Sequence, residues 1–175
     1  MTTNKTYIKK EVTLISNDQI TIRKATKTNY DTIINIQKND GFPHGYYLTH
    51  ERLDKLFKRE TFYLAIINGD KIGGFASVDI EIRARLHFFS IHTKFHHTGL
   101  GRIFMQRIIE KVSKTDVRSF YTYVEETVPQ KNLNLLYKNG FKIVGHYNDR
   151  YGPGKNALIL ELKLTKTQKA TPTIH

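Results

Sequence analysis

Residues 84–126 constrain the fold more than any other stretch. They run ARLHFFSIH, TKFHHT, GLGRIFMQRIIEKVS and, after a turn, SFYTYVEE. The first segment has the length of a strand and is apolar on both faces, which predicts a central position in a sheet. Residues 98–113 repeat apolar side chains at helical spacing, and 119–126 predict another strand. A strand, a helix and a strand in succession bring the chain back parallel to its start. The sheet must therefore hold at least one parallel pair.

The remaining segments predict antiparallel neighbours. FYLAII and KIGGFASVDIEIR flank Asn-Gly-Asp, a strong hairpin signal. FKIVGHY and NALILELKL surround the turn GPGK and predict two final strands. QITIRKAT (19–26) alternates as a strand, and YIKKEVTLI (7–15) predicts an extra one before it. Helices are predicted over 29–40, over 49–60 with Thr49 as N-cap, and over 129–139 with Pro129 near its start and Gly140 after its end. No composition break divides the chain, so 18–164 is read as one domain. Residues 1–17 are read as an N-terminal extension and 165–175 as a disordered basic tail.

At 175 residues the chain can bury one substantial core. It has no cysteine, which excludes disulfides, thiol nucleophiles and thiolate metal ligands. No apolar run is long enough to span a membrane and no signal-peptide pattern opens the chain, so a cytoplasmic protein that does not enter the membrane is expected. Lys and Arg number 28 against 16 acids, a net charge of +12. Such a surface attracts polyanions, whether nucleic acid, an anionic membrane surface or a phosphorylated cofactor.

Four of the eight histidines, His87, His92, His96 and His97, fall within eleven positions. Metal binding does not suit them. His87 and His92 lie five apart on a strand and point to opposite faces, and residues 82–109 contain no carboxylate. No metal site is expected. Phosphate binding suits the stretch better. A strand, a basic loop, Gly99-Leu100-Gly101 and a helix follow one another. The helix N-terminus offers unpaired N–H groups and partial positive charge, and glycine lets an anion approach the backbone. Lys94 and Arg102 add charge on either side.

IHTKFHHTGLGRIFMQRII resembles the acetyl-CoA loop of the GCN5-related N-acetyltransferases, Gln/Arg-x-x-Gly-x-Gly/Ala after a strand. Gly99 and Gly101 take the glycine places, and His96 stands where the family has Gln or Arg. LNLLYKNGFKIVGHY resembles the family's later element, a helix carrying Tyr-x-x-x-Gly-Phe and then a strand. Tyr137, Gly140 and Phe141 are matched to it, with Gln130 in the place of a frequent Asn. The resemblance covers about residues 18–164. It implies an α/β (α+β) single domain, a mixed, mostly antiparallel sheet of about seven strands flanked by about four helices. It also implies an acetyl-CoA-dependent N-acetyltransferase. The loop His96, His97, Thr98, Gly99, Leu100, Gly101 and Arg102 would hold the pyrophosphate, chiefly through backbone amides. Ile91 would bond pantetheine through its backbone and could also serve as oxyanion donor. Tyr137 would protonate the departing sulfur.

For the base, simple alternation places Arg85, His87, Phe89 and Ile91 on one face. LHFFSIHTKFHHTGLG resembles the arylalkylamine N-acetyltransferases, and His87 matches their base histidine in that strand. An unperturbed histidine accepts a proton near neutral pH. Glu81 and a water chain remain alternatives. Phe42, Tyr46, Tyr123 and Glu125 are the acceptor-site residues by the same resemblance, suited to an aryl amine, a peptide N-terminus or a polyamine. The expected acceptor is a primary amine of a small molecule or a protein, with the chain a monomer or homodimer. Two other readings follow from the charge and the departures: an acetyltransferase acting on aminoacyl-tRNA or a ribosome-associated protein, and an inactive basic module that binds CoA or nucleic acid.

Overall fold

The structure is a computed structural model that describes residues 14–40 and 47–164. The expected first strand lies outside the described residues except for Leu14 and Ile15, which are not in a strand. Phe42, Tyr46 and the tail also lie outside them.

The elements follow in chain order β1 (Ile20–Lys24), α1 (Tyr30–Asn39), α2 (His50–Leu56), β2 (Glu60–Ile67), β3 (Lys71–Ile80), β4 (Ala84–Ile91), α3 (Leu100–Ser113), β5 (Ser119–Glu125), α4 (Gln130–Lys138), β6 (Lys142–Tyr147) and β7 (Ala157–Lys163). They form one seven-stranded sheet in the order β1-β2-β3-β4-β5-β7-β6. Every neighbour pair is antiparallel except β4 and β5, the pair demanded by the strand–helix–strand passage. Thr49 caps α2 as expected, its hydroxyl accepting from the Arg52 N–H. That helix ends at Leu56; residues 57–59, expected in its last turn, form a turn, and Glu60 begins β2.

Each face of the sheet carries its own core. Tyr30, Ile33 and Ile36 of α1 and Leu53 and Leu56 of α2 pack with Phe62, Leu64, Ile66, Phe75 and Phe88. On the other face Leu100, Phe104, Met105, Ile108 and Val112 of α3 and Leu133 and Leu136 of α4 pack with Leu86, Ile91, Phe120 and Leu160. Burial of this kind, at roughly 25 cal/mol per Å2 of apolar surface, is the main force holding helices to sheet.

Two irregularities shape the central strands. On β3, Gly73 is an extra residue: Ala65 pairs with Gly74 and Ile66 with Ile72. On β4 the extra residue is His87, because Ser77 pairs with Phe88 and Val78 with Leu86. A bulge reverses the alternation beyond it. Arg85 and His87 therefore lie on the α1/α2 side, both reaching Glu60. Phe89 stacks on Phe104 of α3 at 5.3 Å between ring centroids, and Ile91 joins the α3 core. The expectation of one shared face for Arg85, His87, Phe89 and Ile91 is corrected accordingly.

Gly74 closes the approach of β3 to β4. A Cβ there would stand 2.6 Å from the Ser90 carbonyl oxygen, a backbone atom that cannot step aside. Gly74→Ala is expected to destabilise the fold by about 1–3 kcal/mol, read by urea unfolding. An unchanged midpoint would show that the strands part without cost.

Candidate active site

The site begins where β4 and β5 separate. They pair only through Ala84 with Phe120, Arg85 with Tyr121 and Leu86 with Thr122. The Thr122 hydroxyl donates to the Leu86 carbonyl at 2.9 Å and fastens the last rung. Beyond it β4 runs on to Ile91 and β5 to Glu125 without pairing to each other. A cavity of about 660 Å3 fills the opening.

Its walls belong to both faces. From the α3/α4 side come Phe89, Ile91, Gly99, Gly101, Met105, Asn132 and Leu136. From the other side come Arg85, His87, Tyr123, Glu125 and Arg150. The splay thus joins two half-sites through the plane of the sheet.

The first half-site is the glycine loop. Gly99 caps α3 with φ +87°, a left-handed conformation that favours glycine. Gly101 is different. A Cβ there would meet only Ile91 and Leu135 at ordinary contact distances, so the fold does not require glycine and the space is left for a ligand. The first N–H groups of α3 have no acceptor within the helix. These features fit the diphosphate of acetyl-CoA. His96, His97, Gly99 and Gly101 line the cavity. Thr98, Leu100 and Arg102 do not: Thr98 bonds the Phe95 carbonyl, and Leu100 is core.

The His96 ring has a more specific place than a spare loop residue. Its Nε2–H lies 2.9 Å from both Asp40 Oδ1 and the Ile91 carbonyl. Asp40 follows α1 directly, so the contact ties the glycine loop to the end of that helix. Burial, the largest influence, pushes the Asp40 carboxyl above its ordinary range, and the Ser90 hydroxyl, the His96 ring and the Ile91 backbone only partly offset it. The His92 N–H is used on Gly73. Strand alternation then turns the N–H and carbonyl of Ile91 toward the opening beside β5.

The second half-site centres on His87. Its Nδ1 lies 2.7 Å from Glu60 Oε1. The Glu60 side chain is wholly buried, 0% exposed, and its other oxygen accepts from the Ser77 hydroxyl at 2.8 Å. Burial alone would raise this carboxyl. The hydrogen bond and charge of His87, the Ser77 hydroxyl and the Arg85 charge together outweigh it and hold Glu60 below the usual carboxylate range. Arg85 also reaches Asp79 at 3.2 Å. Tyr123 lies under the Arg150 guanidinium at 4.9 Å, and Glu125 accepts from Thr127. Glu81 is exposed in the β3–β4 turn and does not line the cavity.

Tyr137 does not reach the cavity. It is 38% exposed, while Leu136 lines the wall and is buried. The sequence explains why. Two residues, not three, separate Tyr137 from Gly140, so Leu136 holds the place matched to the family's tyrosine. One residue on a helix is a rotation of about 100°. Tyr137 is therefore withdrawn as the acid.

Glu60 and Asp40 were not picked out from the sequence. Glu60 lies 27 positions before His87, and Asp40 lies 56 before His96. The only local sign was the alternation of β2, which sets Glu60 on the face of Phe62, Leu64 and Ile66. Among the described residues no group of three or more His, Asp or Glu is gathered as metal ligands, and no helix is long and apolar enough to cross a membrane.

The sheet opens between its two parallel strands with a glycine-led helix at the opening, and the family match makes the chain an acyltransferase. Residues 30–141 match the acetyltransferase (GNAT) family, and the chain belongs to it. The fold is shared with the ribosomal-protein-S18-alanine N-acetyltransferase of Escherichia coli. The two are 18% identical with a TM-score of 0.71, over 89% of this chain and 99% of that one. It is shared with the spermidine N-acetyltransferase of Vibrio cholerae, solved with CoA and spermine, at 16% identity and a TM-score of 0.71 over 85% and 98%. A GNAT acetyltransferase of Elizabethkingia anophelis with acetyl-CoA bound gives 18% and 0.68 over 84% and 99%.

Because the folded Glu60 carboxyl titrates low, its contribution to stability is complete above the unfolded value of about 4.3. It is lost as pH falls through the lower folded value. Urea unfolding from about pH 5 to about pH 3 is expected to show a steeper loss for the wild type than for Glu60→Gln. Equal slopes would remove Glu60 from the acid response.

Proposed function

We propose that the chain is a cytoplasmic N-acetyltransferase that moves an acetyl group from acetyl-CoA to a primary amine of a small molecule or a peptide. One observation carries this reading: the splayed strands put the glycine loop and His87 on opposite sides of one cavity.

The N–H groups of Gly99 and Gly101, with the His97 backbone, bind the diphosphate. The backbone edge of β4 that ends at Ile91 aligns the pantetheine arm, which takes the Ile91 backbone from the His96 ring and Asp40 that hold it in this structure. His87 takes a proton from the acceptor ammonium and frees the nitrogen lone pair. Acetyl-CoA supplies the activated acyl group: the C–N bond forms, the C–S bond breaks, and the proton shed by the nitrogen goes to sulfur. That balance needs no acid from the protein, in keeping with leucine at 136.

CoA is expected to raise stability by about 2.7 kcal/mol at a concentration 100 times Kd. His87→Ala is expected to lower kcat about 10²–10⁴-fold, and Tyr137→Phe to leave it within about twofold. Thermal unfolding and thiol release measure these. No CoA-dependent shift, or full turnover by His87→Ala, would overturn the reading.

The acceptor wall favours one kind of amine. Arg150 rests over Tyr123 and Tyr147 and, among the described residues, forms no salt bridge with a carboxylate. Lys155 lines the same cavity. Glu125 is the nearby acid at that end. An acceptor bearing an anionic group beside its amine suits this wall better than a polyamine. Arg150→Gln is expected to raise KM about tenfold for an amino-carboxylate and not for the same amine without its carboxylate. Equal effects on both would remove the anion from recognition.

A further inference from the structure

We propose that Glu60 is a positioning residue for catalysis: it fixes the His87 ring in one tautomer and stabilises the charge that His87 gains on taking a proton. This inference rests on the reading of His87 as the base.

The carboxylate is a costly group to bury. A charge with no access to water must be held by hydrogen bonds and opposite charge, or it is neutralised. Glu60 is fully buried on β2, two strands from β4, and its partners show what it is held for. Ser77 on β3 donates to Oε2 at 2.8 Å and sets the plane of the carboxylate. The imidazole of His87 then takes Oε1 at 2.7 Å. Arg85 stands farther off at 3.4 Å and divides itself with Asp79. Arg59 is farther still, at 3.9 Å. A counter-ion for Arg85 alone would sit closest to the guanidinium, in the two-pronged geometry that arginine favours. Here the closest partner is the ring.

An ionised carboxylate only accepts hydrogen bonds, so the proton of the neutral imidazole lies on Nδ1. Nε2 keeps its lone pair, and the ring, 22% exposed, lines the cavity. Nδ1 is spent on a buried group, which leaves Nε2 for the acceptor amine. The bulge at His87 makes this possible. As the extra residue of β4 it lies on the same side as Phe88, whose ring it contacts at 4.2 Å. The charged and titratable groups around it are Arg59 from the turn before β2, Glu60 from β2, Asp79 from β3, Arg85 from β4, and Tyr121, Tyr123 and Glu125 from β5. Of these, only the Glu60 carboxylate touches the ring.

The test compares His87→Ala, Glu60→Gln and the double variant with wild type, by thiol release from acetyl-CoA with an amine that turns over. Glu60→Gln is expected to lower kcat about 10²–10³-fold and to leave KM for acetyl-CoA within about twofold. The acid limb of its kcat/KM profile should move to lower pH, because the imidazole has lost a negative neighbour. Glu60→Asp keeps the charge, so its acid limb should stay with wild type even where kcat falls. The double variant should be no slower than His87→Ala, since the two residues act as one unit. Wild-type kcat and acid limb in Glu60→Gln, with His87→Ala inactive, would overturn this proposal and leave the base reading standing. Full turnover by His87→Ala would remove the base reading itself. Should Glu60→Gln fail to fold, nitrogen NMR of the wild-type ring decides: Nδ1–H supports the proposal, and Nε2–H overturns it.

Discussion

The candidate site depends on a parallel pair of strands that stops pairing after three rungs. The Thr122 hydroxyl on the Leu86 carbonyl marks the last point of contact. One residue later the bulge at His87 begins. From there two strands that would otherwise continue the sheet leave their facing edges open. A backbone edge buried against protein would need partners. Facing a cavity, it is free to recognise an extended ligand, and the two half-sites meet there.

Charge is organised around the same opening. Two carboxylates buried close to the cavity behave in opposite ways. Asp40 is held above its ordinary range by burial, with His96 as its main neighbour of opposite charge. Glu60 is held below its range because His87, Ser77 and Arg85 converge on it. Each carboxyl has three partners, yet the two shift in opposite directions: burial prevails at Asp40, and the partners prevail at Glu60. The first links α1 to the glycine loop, and the second holds the ring of His87.

Much of the architecture was legible in the sequence because it is written in local periods. Alternation in 19–26, the Asn-Gly-Asp turn and the helical spacing in 98–113 each report on a few neighbouring residues, and the structure has those elements within a few positions. The glycine loop was legible for the same reason. What was not legible depends on residues far apart. Glu60 meets His87 only because β3 lies between their strands, and Asp40 meets His96 only after α1 docks. The facing of Phe89 and Ile91 was misread because a single extra residue is invisible to a count of alternation. Tyr137 was misread because its distance to Gly140 is one residue short, which a match of residue types overlooks and a helix does not.

The bulge has one more consequence. The assignment of side chains to the two half-sites is carried by the number of residues between Leu86 and Ile91, more than by which residues they are. Exchange of side chains there leaves each position on its own side. Loss of one residue would instead transfer Phe89 and Ile91 across the sheet, or force a neighbouring rung to break. The facing of this segment is thus insensitive to which side chains it carries and sensitive to their number, whereas a surface loop accepts changes in length.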